Sequence, residues 1–110
     1  MDDNERKETW EDFREVVNMR PGDLEEWLGT DQSRDAGQHK DGGESTGHAS
    51  GRRIAEILRA KKGDLSDDDY QHMRKVVGYV RRHLAQRPSG DVRDTRWRYS
   101  LMNWGHDPLA

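Results

Sequence analysis

Apolar positions along this chain recur every three or four residues and nowhere alternate over the length of a strand. That is the pattern of amphipathic helices. Over residues 5–18, Trp10, Phe13 and Val17 fall at i, i+3 and i+7 with Val16 beside them, so one stripe of a first helix is apolar. Acidic residues fill its early turns, where they complement the positive end of the helix dipole. Pro21, a favoured first-turn residue, opens a second short helix that runs to Leu28. Leu24, Trp27 and Leu28 form its apolar face and Gly29 closes it. Residues 30–50 hold two apolar residues, both Ala, and four Gly. They read as a polar loop, either a solvated tether or a binding loop that orders on a partner.

A third helix is expected from an N-cap at Ser50, with Ile54, Ile57 and Leu58 facing the core and Gly63 as its stop. Arg52, Arg53, Arg59, Lys61 and Lys62 lie off that stripe. The fourth helix has the clearest start. Ser66 and Asp69 occupy the two positions of a capping box, and Leu65 and Tyr70 those of a hydrophobic staple. From there Tyr70, Met73, Val77, Val80 and Leu84 step by three and four, and Pro88 ends the run near Gln86. Arg74, Lys75, Arg81 and Arg82 lie away from this seam. Gly78, between Arg74 and Arg82, predicts a close helix–helix crossing or, failing that, the approach of a phosphate. A fifth helix over residues 92–104 places Trp97, Leu101 and Trp104 on one face, with Gly105 and Pro108 after it. The expected architecture is all-α: a single domain formed by a compact bundle of about five helices. A long polar loop joins the second and third, and residues 1–4 are disordered.

Composition tempers this picture. Charged residues make up 37% of the chain, and Leu, Ile, Val and Phe together only 16 of 110. So few core-building residues normally signal disorder. A net charge of only −3 and the presence of four Trp and three Tyr argue for a thin but real core. The absence of cysteine excludes a disulfide scaffold, a thiol nucleophile and a cysteine-ligated zinc site. No apolar run approaches a bilayer-spanning length, and the leading MDDNERKE is neither a signal peptide nor a lipidation motif. A soluble cytoplasmic protein with no membrane partner is expected.

Charge is divided along the chain. Residues 1–50 carry 6 basic and 14 acidic groups, a balance of −8, whereas residues 51–110 carry 13 and 8, a balance of +5. Arginine outnumbers lysine 14 to 5, and Arg favours bidentate contacts with phosphate or carboxylate. Two readings stay open. Either the basic half meets an anionic partner, or the acidic N-terminal pair of helices packs on the basic C-terminal trio and neutralises it.

The inventory for catalysis is sparse. The five His form no His-Glu-x-x-His motif. His39 and His48 share the polar loop with Asp35, Asp41 and Glu44, a conceivable metal set or simply solvated side chains. Asp67–Asp69 lacks the glycine and distal glutamate of a calcium loop, and its position explains it as a helix start. Ser45, Ser50 and Ser100 have no nucleophile-elbow context. The GHASGRR stretch lacks the lysine of a phosphate loop, yet it sets backbone N–H groups and two arginines near a helix N-terminus. No catalytic residue, metal or cofactor is expected.

The stronger signal is basic and aromatic residues interleaved at Arg93, Arg96, Trp97, Arg98 and Tyr99, within a stretch of residues 74–98 that carries eight basic and two acidic groups. Such groups neutralise phosphates and, where exposed, stack on bases. The segments GGESTGHASGRRIAEIL, LSDDDYQHMRKVVGYVRRHLAQRP and DTRWRYSLMNWGHDP resemble a bacterial and fungal family of small proteins, domain of unknown function 3140, over nearly the whole chain from about Trp10 to Pro108. Members are often labelled DNA-binding, so the resemblance implies contact with DNA and brings no catalytic residue with it. VNMRPGDLEEWLGT is also loosely similar to the helix–turn–helix of SAP and helix-extended-loop-helix modules, but is acidic here. The leading expectation is a non-enzymatic DNA-binding protein of low sequence specificity. Its phosphate contacts come from Arg52, Arg53, Arg59, Lys61, Lys62, Arg74, Lys75, Arg81, Arg82, Arg96 and Arg98. The alternative is a protein-interaction or homodimerising module that docks through the Trp-rich last helix.

Overall fold

The computed structural model of the chain describes residues 1–37 and 45–110. Among these residues six α-helices and one 3-10 turn form an all-helical globule: α1 Asp3–Val16, α2 Pro21–Leu28, α3 Asp31–Ala36, α4 Thr46–Arg59, α5 Asp67–Leu84 and α6 Arg96–Asn103, with the 3-10 turn at Lys62–Asp64. Among the described residues there is no strand, and no helix is long and apolar enough to cross a membrane.

Local chemistry explains the boundaries. Asp2 caps α1 by accepting the Glu5 N–H at 2.8 Å, so the helix includes residues that were expected to be disordered. Thr30 caps α3 within the expected loop, which makes six helices rather than five. That helix is short, and the residues it buries, Ser33 and Ala36, are too small to register as an apolar stripe. The next helix is capped by Ser45, not Ser50: its Oγ accepts the His48 N–H at 3.0 Å. Ser50 lies inside the helix and is buried. The capping box of α5 forms as expected. The Ser66 Oγ accepts the Asp69 N–H at 3.1 Å and the Asp69 carboxylate accepts the Ser66 N–H at 2.9 Å. The last helix begins four residues later than its pattern suggested, because Thr95 caps it. Val92 is buried ahead of it as an anchor outside the helix.

α1 lies along α5. Arg6 reaches Asp67 and covers the Tyr70 ring, Thr9 accepts from Arg74, and Asp12 pairs with Arg81. The partners ascend both helices together, so the two run parallel. α2 packs on α4, where Glu25 meets Arg59 and Leu28 meets Gly51. α3 packs on α6. Phe13, Leu24, Ile54, Met73, Val76, Val80 and Leu101 are fully enclosed. These residues make one contiguous core, in which both Trp97 and Trp104 are also buried.

The close helix approach expected at Gly78 is found instead at Gly51. Around Gly78 the nearest atoms among the described residues are those of the Arg82 guanidinium, its own helix neighbour. At Gly51 a methyl group would sit 2.5 Å from the Asn103 carbonyl oxygen and 2.7 Å from Leu28 Cδ2. Asn103 anchors the same junction. Its Oδ1 accepts from Trp27 Nε1 (2.8 Å) and from Ser33 Oγ, and its Nδ2 donates to the Ser33 carbonyl (2.9 Å). After α6 the chain turns at Gly105, whose φ of +80° favours glycine. The Gly105 carbonyl then accepts the N–H groups of Asn18 and Met19 at 3.1 Å each, tying the C-terminus to the turn between α1 and α2.

Candidate anion-binding cleft

The acidic first half does sit on the basic second half, and much of the expected phosphate-binding set is paired there. Arg59 forks onto Glu25, Arg74 pairs with Glu5 at 3.2 Å and Arg81 with Asp12 at 3.6 Å, while Arg53 finds its carboxylate within the second half, Asp69 at 3.4 Å. The Arg59 guanidinium holds the Glu25 carboxyl below its ordinary range. These pairs are solvent-exposed and contribute little to stability individually. They nevertheless lower the positive potential of the faces that carry them. Arg98 is more deeply committed. Both of its terminal contacts to Asp107 are 3.1 Å, a third donor reaches the Arg93 carbonyl at 2.9 Å, and both side chains of the pair are about four-fifths covered. Burial pushes the Asp107 carboxyl up, but Arg98 and the Leu109 N–H outweigh it and hold the group below its usual value. Lys62 lies 5.5 Å over the Trp10 ring. Arg52 lines a small recess between α2 and α4 with Glu25 and Glu56. Lys61 is exposed beyond the end of α4.

The remaining three residues of the expected set, Lys75, Arg82 and Arg96, come together. They line a cleft of about 750 Å³ bounded by the end of α3, the start of α4, the second half of α5 and α6. Among the described residues, no carboxylate lies within ion-pair distance of any of them. Lys75, Tyr79 and Arg82 share a face of α5 at i, i+4 and i+7, while Arg96 opens α6 across from them.

The wall of the cleft belongs to a column of five near-parallel rings. His72 stacks on Trp104 (6.3 Å between centroids, 12°), Trp104 on Tyr79 (4.2 Å, 15°), Tyr79 on His83 (5.4 Å, 13°) and His83 on Trp97 (5.9 Å, 13°). α5 supplies His72, Tyr79 and His83, and α6 and its C-cap supply the two Trp. His83 and Trp97 clasp each other. Trp97 Nε1 donates to the His83 carbonyl at 2.8 Å, and His83 Nε2 donates to the Trp97 carbonyl at 3.1 Å. Burial pushes the His83 imidazole down and the Tyr79 phenol up. His72, bonded to Ser50 Oγ at 2.9 Å, is pushed down to about 4 by burial, reinforced by the charges of Arg53 and Lys75. The imidazoles of the column are therefore neutral near pH 7 and behave as flat apolar surfaces.

Trp104 is only 4% exposed. Its indole N–H donates to no group among the described residues, and it lies beside Gly47, where a methyl group would stand 3.2 Å away. Trp104 and Gly47 both line the cleft, with the Thr46 and Ser100 hydroxyls also on its surface. Asn103 is in the wall too, but its polar atoms are consumed by Trp27 and Ser33.

Sequence reasoning named the three cations but missed Tyr79, His83, Trp104, Thr46 and Ser100 as site residues. A signal was present: His72, Tyr79 and His83 are spaced by seven and four, a second stripe beside the apolar seam. Among the described residues no three His, Asp or Glu gather to hold a metal. His48 Nε2 donates to the Leu28 carbonyl at 2.6 Å, while His39, Asp41 and Glu44 of the loop metal set lie outside the described residues. The family described as "Protein of unknown function (DUF3140)" matches residues 12–102 of the chain. No curated protein and no solved structure matches it.

Proposed function

The chain belongs to the DUF3140 family; since that description names no activity, we propose from the geometry that it is a non-enzymatic nucleic-acid-binding module whose phosphate contacts are concentrated at Lys75, Arg82 and Arg96. The observation that carries this reading is the convergence of those three cations on one cleft with no carboxylate partner among the described residues. Paired arginines such as Arg59, Arg74, Arg81 and Arg98 already have an anion, and recruiting them to phosphate means breaking that contact first. Phosphate contacts of this kind position a nucleic acid without reading its sequence. A protein partner or second copy docked on the last helix finds less support. The ring faces of Trp97 and Trp104 are taken up in the ring column and only edges reach the cleft, and Leu109 is the one exposed large apolar side chain among the described residues.

Salt dependence tests the number of contacts. Three phosphate contacts to duplex DNA predict that affinity falls about fortyfold between about 50 and 200 mM salt, whereas eleven predict about a millionfold. In fluorescence anisotropy with a labelled oligonucleotide, the variant combining Lys75→Gln, Arg82→Gln and Arg96→Gln should lose about tenfold or more of the affinity, and the Arg74→Gln, Arg81→Gln pair less than about threefold. A triple variant that binds as tightly as the parent protein overturns the reading.

A further inference from the structure

Resting on that reading, we infer that the cleft accepts an unpaired nucleotide, a nucleoside monophosphate unit either free or within a single strand, and not duplex DNA. The shape suits a small ligand. A concavity of about 750 Å³ falls within the range of pockets that enclose small ligands. A duplex is read by helices or strands that protrude into its grooves, and its paired bases do not enter a recess. At this cleft a duplex backbone touches the rim cations and nothing deeper.

Two unlike surfaces meet in the cleft. Lys75, Arg82 and Arg96 place positive charge on the cleft lining, while Tyr79, His83, Trp97 and Trp104 give it an aromatic wall. Trp104, Tyr79 and His83 are each stacked between two other rings, so it is their edges that meet a base, beside cations that hold its phosphate. An inorganic anion leaves the aromatic wall unused, whereas a planar molecule bearing a phosphate uses both.

The Trp104 indole N–H adds a directional contact. It is a donor with no acceptor role, on a residue only 4% exposed, and it donates to no group among the described residues. Among the described residues Arg6 Nε is the one enclosed side-chain nitrogen or oxygen without a partner, so the Trp104 N–H is not sealed in the core and stays open to an acceptor that enters the cleft. Nucleotides are rich in acceptors, through phosphate oxygens and base carbonyls. The other ring donor in the wall, Trp97 Nε1, is already held by the His83 carbonyl. Trp104 Nε1 and the Thr46 hydroxyl are thus the groups left to contact the ligand.

The test is anisotropy with a labelled oligothymidylate of about twelve nucleotides and a blunt duplex of the same length, with thymidine monophosphate, thymidine and inorganic phosphate as competitors. The strand should bind about tenfold tighter than the duplex, as expected when bases reach an aromatic wall. Thymidine monophosphate should displace it at a concentration about tenfold below that needed of inorganic phosphate or thymidine. Gly47→Ala, which puts a methyl 3.2 Å from Trp104 Nε1, and Trp104→Phe, which removes the donor, should each weaken strand binding about fivefold or more with the helical circular dichroism unchanged. If Trp104→Phe unfolds the chain, Gly47→Ala decides. A monophosphate within about threefold of the strand's affinity identifies a free nucleotide as the ligand, and a tighter strand identifies the polymer; either outcome supports the inference. Duplex binding equal to or tighter than the strand's overturns the inference and leaves the broader nucleic-acid reading standing. Competition by inorganic phosphate as strong as by the nucleotide also overturns it. Failure of both nucleic acids to bind overturns both.

Discussion

Replacing His72 by glutamine should remove a specific acid sensitivity. His72 is half-buried in the column of rings, bonded to Ser50 and close to the positive charges of Arg53 and Lys75, and its pKa is pushed from an ordinary 6.5 down to about 4. Between those two values the unfolded chain holds a proton on this imidazole that the folded chain does not. The unfolded state binds more protons there, so stability rises with pH across the window and is lost as pH falls through it. A shift of this size corresponds to about 3 kcal/mol if fully expressed, and solvent screening of a half-exposed ring reduces it to about 1.5 kcal/mol. The carboxylates contribute outside this window. Glu25, Asp67, Asp69 and Asp107 are all held below their ordinary values, so their stabilisation is present above those values and is lost only at more acid pH. His83 is also pushed down by burial, so the difference between parent and variant isolates His72. Urea unfolding followed by tryptophan fluorescence at about pH 7.5 and about pH 5 measures it. The parent should lose about 1–2 kcal/mol more than His72→Gln between the two. Equal losses in the two proteins would mean that His72 ionises freely in the folded state and that burial does not suppress its charge.

Two further substitutions test the packing that shapes the cleft. Gly51→Ala forces a methyl to within 2.5 Å of the Asn103 carbonyl and 2.7 Å of Leu28; even after the gain in helix propensity, chemical denaturation should show a loss of about 1–3 kcal/mol. Asn103→Ala strips the acceptor from Trp27 Nε1 and Ser33 Oγ at a site 1% exposed. It should cost about 2–4 kcal/mol by the same measurement, with a blue-shifted emission from Trp27 as its indole loses its polar partner.

Much of the fold was legible because large apolar side chains recur at helical spacing. The Tyr70–Val80 seam, the Ser66–Asp69 capping box and the Trp97/Leu101/Trp104 face appear where the pattern puts them. What escaped was helix built from small residues. α3 buries only Ser33 and Ala36, and the start of α4 buries Ser50 and Gly51, so neither stretch shows an apolar stripe. The split of charge along the chain foretold that the halves would meet, but pairing is a matter of distance that no composition contains. Arg81 has Asp12 at 3.6 Å, and Arg82, its neighbour in sequence, faces the cleft. The aromatic wall was hidden for a related reason. His72, Tyr79 and His83 become a surface only when the two Trp of the last helix slot between them.

Whether the cleft receives a nucleotide against Trp104 can be read from the indole N–H signals of the four Trp in a proton–nitrogen correlation spectrum while a short oligothymidylate is added. The Trp104 signal should shift progressively with added strand, while those of Trp10, on α1, and Trp27, held by Asn103, stay in place. A bound strand that leaves the Trp104 signal unmoved would contradict a nucleotide seated there.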